Sequence, residues 1–459
     1  MNLHYGSLLE VSDLMRTRQL SPVELTSEML ERIERLNPSL GAYYTVFADQ
    51  ALAEARAAES EIAGGSWRGP LHGVPIAFKD LYELGPTTAG SKLLAGHIAA
   101  REAELVTHAR AAGAVILGKL ATHEFGLAAA TLSDHFPPAR NPWDPVRTPG
   151  GSSTGAGAAL AAGMAFGAFG TDTGGSVRLP AAFSGVVGYK PTFGRLSTKG
   201  VIPLSPSLDH AGPMARTVAD VAVLGSIRPH PTLPPWWGGK PFEREGGVRG
   251  LRVGVPRDLW AGGDAQVRER VETAIKSLTA LGAVVEDVSL GFGVVQVMAI
   301  GYLITLSEAA AFHLANLRSG RPGYGHEFGL VLRSGLLVPG HSYVHAQQAR
   351  AAISQRMSKV FESYDVLVMP TVGAFADPLP AGPRPLTKRI SEQPTPQYTW
   401  LANLYGGPAV SVPCGFTNEG LPVGLQLMGR AGDDATVLRA AHAYEQPAGW
   451  RDMHPPRWP

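Results

Sequence analysis

Residues 148–192 read TPGGSSTGAGAALAAGMAFGAFGTDTGGSVRLPAAFSGVVGYKPT and decide the fold and the chemistry. Two glycine turns each end on serine, Gly150-Gly151-Ser152-Ser153 and Gly174-Gly175-Ser176. Small residues let backbone amides and hydroxyls approach a substrate closely. Upstream, HGVPIAFKD at 72–80 carries Lys79 directly after an apolar run. An unaided serine hydroxyl is a weak nucleophile near neutral pH, so a base must take its proton. Lysine serves only when neutral, and burial lowers its pKa. Val74 to Phe78 could supply that burial. The pattern points to a serine hydrolase whose base is lysine.

Around this segment, helix and strand patterns alternate. Ser21-Pro22-Val23-Glu24 reads as a capping box with proline at the first helical position, opening a helix over 22–36. A charged helix covers 49–62, and 73–78 reads as a buried strand that delivers Lys79. Helix then strand recurs at 104–112 and 114–117, at 153–164 and 165–170, and at 179–183 and 186–189. Further strands are expected at 251–256, 283–290, 365–370, 409–415 and 421–429, with helices over 265–281 and 434–444. This alternation predicts an α/β class fold with a central mixed sheet covered by helices. Segments 227–250 and 375–397, rich in proline and in glycine or basic residues, read as long surface loops.

The chain has 459 residues, 44% hydrophobic and 17% charged, with a formal net charge of +1. That balance gives no electrostatic reason to expect nucleic acid or an anionic membrane as partner. A single cysteine, Cys414, excludes an internal disulfide framework and cysteine-cluster metal sites and fits a cytoplasmic location. No signal peptide is read at the N-terminus. The near-uniform apolar stretch 156–169 is too short to span a bilayer. His123-Glu124 begins like H-E-x-x-H, but position 127 is leucine, so no metal is expected. No nucleotide loop is found, and no cofactor is expected.

On the residues quoted, the chain closely resembles the amidase signature family, continuously over 69–214 and more weakly in LANLYGGPAVSVPCG and LPVGLQLMG. The resemblance implies a single α/β/α layered domain over 1–459, with a central mixed twisted sheet and 69–214 as signature core. It also implies a Ser–cis-Ser–Lys triad. Lys79 matches the family base, Ser152 the cis-serine and Ser176 the nucleophile, with the family's own spacing between the serines. Thr173, Gly174, Gly175 and Ser176 become the expected oxyanion donors. Ser153, Asp172 and Arg178 are expected to hold the turn. Thr154 stands where many members carry glycine, and Ser184 where many carry cysteine; neither touches the triad. In the family, a stretch like 122–136 lines the substrate cavity. Here Phe125, Gly126, Leu127 and Leu132 make it apolar.

The resulting expectation is an amidohydrolase for a small hydrophobic or aryl amide, extending to carbamates, anilides and esters. It would use small-molecule substrate and water, without nucleic acid or membrane, as a monomer or homodimer. The alternative is the glutamine-amidase subunit of a tRNA-dependent amidotransferase. Members of that kind usually read KDN where this chain reads Lys79-Asp80-Leu81. A catalytically silent binding protein is disfavoured by retention of Lys79, Ser152 and Ser176. G-x-S-x-G, with Ser153 as nucleophile, is disfavoured because the preceding proline-rich run cannot be an interior strand.

Overall fold

The computed structural model describes residues 3–127, 135–227, 247–260, 262–320, 322–379 and 397–458. Leu132 and most of the two expected loops lie outside the described residues. The fold is α/β: one large mixed sheet surrounded by helices. Its strands are β1 (Tyr43–Val46), β2 (Pro75–Lys79), β3 (Val115–Leu120), β4 (Gly167–Asp172), β5 (Val187–Lys190) and β6 (His210–Ala215). They continue with β7 (Arg252–Val255), β8 (Val284–Asp287), β9 (Val366–Pro370), β10 (Ala409–Phe416) and β11 (Pro422–Gly429). The spatial order is β1-β3-β2-β4-β6-β5-β10-β11-β9-β7-β8.

Two parallel neighbours, β3 and β4, flank β2 on either side. All five of its residues are buried, so the strand reads as a continuous apolar run ending on lysine. The helix Thr154–Ala161 is glycine- and alanine-rich because it passes close to its neighbours. A Cβ at Gly155 would lie 2.2 Å from the Ala42 carbonyl oxygen, and one at Gly157 would lie 2.6 Å from Ser184 Oγ. Ser21 caps the helix Pro22–Leu40 by accepting the N–H groups of Val23 and Glu24. Its hydroxyl also donates to Glu59, and among the described contacts the Glu24 carboxylate does not return a bond to the Ser21 N–H, so only half of the box forms.

Several elements carried no period in the sequence. Strand β6, HAGPMA, contains glycine and proline yet lies inside the sheet between β4 and β5, with Pro213 opposite Phe169. The helix Val294–Phe312 is apolar on every side, so no face stands out. It is the one described helix long and apolar enough to cross a membrane by length and composition. It packs against His326–Leu336, Gly340–Ser363 and Trp400–Tyr405. Within this group, Val294–Phe312 and Trp400–Tyr405 form one wall of the site.

Candidate active site

Lys79 sits at the end of β2 with its side chain wholly buried. Its Nζ donates to Ser152 Oγ at 2.8 Å and to Thr171 Oγ1 at 2.8 Å. Burial pushes the Lys79 pKa from 10.5 down to about 7, although Asp209 and Asp172 act in the opposite direction. Much of its population is therefore the neutral amine near physiological pH. Thr171, on β4, was not signalled by any motif. Parallel pairing of β2 with β4 is what brings it beside the lysine.

Ser152 follows a cis peptide bond from Gly151. Gly150, at φ +81°, lies against Pro180, where a Cβ would come within 2.8 Å of Pro180 Cα. Gly151 is covered by the His123 imidazole, which a Cβ would meet at 2.4 Å. Burial, with Lys79 nearby, holds that histidine down to about 3 and so neutral. Ser153 is fully buried, and its Oγ donates to the Thr171 carbonyl at 3.4 Å. Its N–H donates to the Ser176 carbonyl at 3.3 Å, which places the two serine turns side by side.

The second turn is held from beneath by Asp172. Its Oδ1 accepts the Gly175 N–H at 2.8 Å and its Oδ2 accepts the Val177 N–H at 3.2 Å. Arg178 forks onto both carboxylate oxygens, from Nη2 at 2.8 Å and Nε at 3.0 Å. The remaining Arg178 donors reach Gln426, Asn403 and the Thr399 carbonyl. Burial opposes ionisation of Asp172, but Arg178, aided by Lys190 and Asn403, holds its carboxyl well below the usual range. Pairing of Asp172 with Arg178 was expected; the clamp from Thr399 to Asn403 was not. Thr399 Oγ1 donates to the Gly174 carbonyl at 2.6 Å. A Cβ at Gly174 would strike the Trp400 ring at 2.4 Å, and one at Gly175 would meet Thr399 Oγ1 at 2.2 Å.

This arrangement corrects one expectation. The Gly175 N–H is committed to Asp172, so it leaves the set of oxyanion donors. The amides of Thr173, Gly174 and Ser176 are the members of that set that remain. Thr173 is itself anchored, its Oγ1 donating to Asp209 Oδ1 at 2.6 Å. Asp209 Oδ2 accepts the N–H groups of Leu204 and Ser205 at 2.9 and 3.0 Å. Burial pushes the Asp209 pKa up to about 6 against those hydrogen bonds.

Ser176 opens onto a small cavity of about 30 Å³, bordered also by Gly126, Leu127, Thr173, Gly174, Tyr302, Thr305, Gln397 and Trp400. Gly126 and Leu127 border this cavity. Phe125 does not: it is 2% exposed and stacks on Phe328 at 5.2 Å, edge-on to His313. It fills an apolar cluster with Leu81, Leu127 and Leu204. Tyr302, Thr305, Gln397 and Trp400 were missed, because the helix carrying the first two has no polar face to mark them. Among the described residues, no group of three or more His, Cys, Asp or Glu could hold a metal ion.

The sequence profile of the Amidase family matches residues 24–438. A glutamyl-tRNA(Gln) amidotransferase subunit from Chloroflexus aurantiacus is 38% identical, over 99% of this chain and 99% of its own. The crystal structure of the corresponding Thermotoga maritima subunit superposes with TM-score 0.79 at 32% identity, covering 98% of this chain and 96% of the other. A bacterial aryl acylamidase of the amidase signature family superposes with TM-score 0.86 at 27% identity, covering 98% of each chain.

The amidotransferase similarity overturns the main functional expectation, a hydrolase for a hydrophobic or aryl amide or a carbamate. It equally overturns the expected partners, small molecule and water alone with no nucleic acid. The relative is named as one subunit of an amidotransferase for glutamyl-tRNA. The residues behind that expectation explain the error. Phe125 packs into the core instead of the cavity, and Leu81, read as separating the two classes, is 1% exposed in the same cluster.

Proposed function

We infer that this chain, which belongs to the amidase family, is the ammonia-releasing subunit of an amidotransferase that acts on glutamyl-tRNA. Its substrate is the carboxamide of glutamine. The observation that carries this reading is 38% identity to such a subunit over 99% of both chains.

The chemistry follows from the trio. Neutral Lys79 takes the Ser152 proton as Ser152 takes that of Ser176. Ser176 Oγ attacks the carboxamide carbon, and the oxyanion is met by the amides of Thr173, Gly174 and Ser176. Removing one donor of this kind typically lowers the rate by about 10²–10³. The relay returns the proton to the departing nitrogen, which leaves as ammonia rather than as an amide anion. Water then attacks the acyl-enzyme by the same relay, releasing glutamate and restoring Ser176. In the assembly, ammonia passes to the subunit that holds the charged tRNA.

Ammonia release from glutamine, measured for the chain alone and with its co-expressed partner subunits, tests the proposal. We expect co-purification with the partners and glutamine hydrolysis that Ser176→Ala abolishes in a folded protein. No glutamine hydrolysis in the assembly, or a chain that engages no partner, would overturn it.

A further inference from the structure

The cavity beside Ser176 has a polar side chain that no described residue answers. Thr305 borders the cavity on the helix Val294–Phe312, is 1% exposed, and its Oγ1 finds no hydrogen-bond partner among the described residues. A threonine hydroxyl inside a helix ordinarily turns back onto a carbonyl of the preceding turn. Ser307, two residues along the same helix, does so, donating to the Leu303 carbonyl at 2.9 Å. A buried hydroxyl left unpaired is costly, and such exceptions call for a reason.

The neighbours of Thr305 are arranged differently. Trp400 Nε1 donates to Gln397 Oε1 at 3.0 Å, and the Tyr302 ring packs against Trp400 at 4.8 Å between centroids. The single Trp400 N–H is thereby satisfied. Trp400 is also wedged over the glycines at 174 and 301, where a Cβ would come within 2.4 and 2.2 Å of its ring. It fixes the wall that carries Thr305 relative to the nucleophile turn. The lining is uncharged among the described residues, so a substrate group there meets neutral hydrogen-bonding partners.

We propose that Thr305 is a specificity-determining residue whose hydroxyl bonds a polar group on the acyl chain of the amide held at Ser176. The substrate class it selects is an amide with a hydrogen-bonding head group, as against an aliphatic amide of equal length. This deepens the glutaminase reading and rests on it for the identity of the head group. A site built to hydrogen-bond its substrate rejects the analogue lacking that group, because its own polar atom is then left unpaired.

Thr305→Val keeps the shape and removes the hydroxyl. The assay compares glutamine with pentanamide, measuring kcat and KM separately in the assembled enzyme. We expect KM for glutamine to rise roughly tenfold with kcat little changed, and KM for pentanamide to fall, because its apolar chain no longer meets an unpaired hydroxyl. Thr305→Ser should keep the preference that Thr305→Val loses. Equal effects on both substrates, or none on either, would overturn the proposal. The two readings fail separately. If the wild type does not hydrolyse glutamine, the glutaminase reading falls, and 5-hydroxypentanamide against pentanamide tests Thr305 by the same criterion.

Discussion

Lys79 Nζ and Ser152 Oγ lie 2.8 Å apart at the buried end of an interior strand. Burial brings the lysine to about 7, so it accepts protons only above that value. We expect kcat/KM for amide hydrolysis to rise about tenfold per pH unit below about pH 7 and to level off above it. A pH–rate profile checks this. Lys79→Arg, whose guanidinium stays charged, should be inactive throughout. A flat profile from about pH 6 to about pH 9 would move the base elsewhere.

The same burial makes Lys79 a stability liability with a defined pH window. Its pKa is 10.5 unfolded and about 7 folded, so between those values the unfolded chain binds more protons. Stability therefore rises with pH across that window. The deficit is full below the folded value and is relieved as pH approaches the unfolded one. Lys79→Met should raise the melting temperature, most near pH 7 or below and least near pH 10.5. A gain independent of pH would mean that the lysine is not neutralised on folding.

Legibility divided along physical lines. The turns at Ser152 and Ser176 and the lysine at 79 were readable because each sits on a local signal: paired glycines, or an apolar run that ends on a cation. The alternation of helix and strand over 104–190 was readable for the same reason. Asp209, Thr399 and Asn403 were not, because they reach the turn before Ser176 only through tertiary contact. Strand β6 was hidden by its glycine and proline, and the wall helix Val294–Phe312 by uniform apolarity. Phe125 misled because an apolar residue beside a site fits core and cavity equally well until packing is known.

Arg178 and Asp172 form a buried pair in which neither side chain is exposed. Arg178→Met would strand the carboxylate with only Asn403 and the turn amides. Breaking a buried pair from one side typically costs ~3–5 kcal/mol. We expect a loss of that order in urea unfolding, together with lost activity as the turn relaxes. Replacing both partners, Asp172→Asn with Arg178→Met, should recover part of the stability and little of the activity. If the single variant is as stable as the wild type, the pair does not hold the turn.

Asp209 couples the turn at Thr173–Ser176 to Lys79. It accepts from Thr173 on one oxygen and from the amides of Leu204 and Ser205 on the other. Its charge also favours protonated Lys79, as does that of Asp172. The neutral His123 adds no charge on the remaining side, and Glu308 repels Asp209 from the wall helix. Asp209→Asn removes the anion; its Oδ1 can still accept from Leu204 and Ser205, while its NH2 faces Thr173 Oγ1 and the charge-assisted bond there is lost. The lysine loses a group that stabilises its charge, so its pKa falls further. We expect the rising limb of kcat/KM to move toward acid by roughly one unit, and kcat to drop about tenfold as the Thr173 anchor loosens. A drop in kcat with the limb unmoved would reduce Asp209 to a loop support. A limb that moves toward alkali would show that its carboxylate does not act on Lys79 through charge.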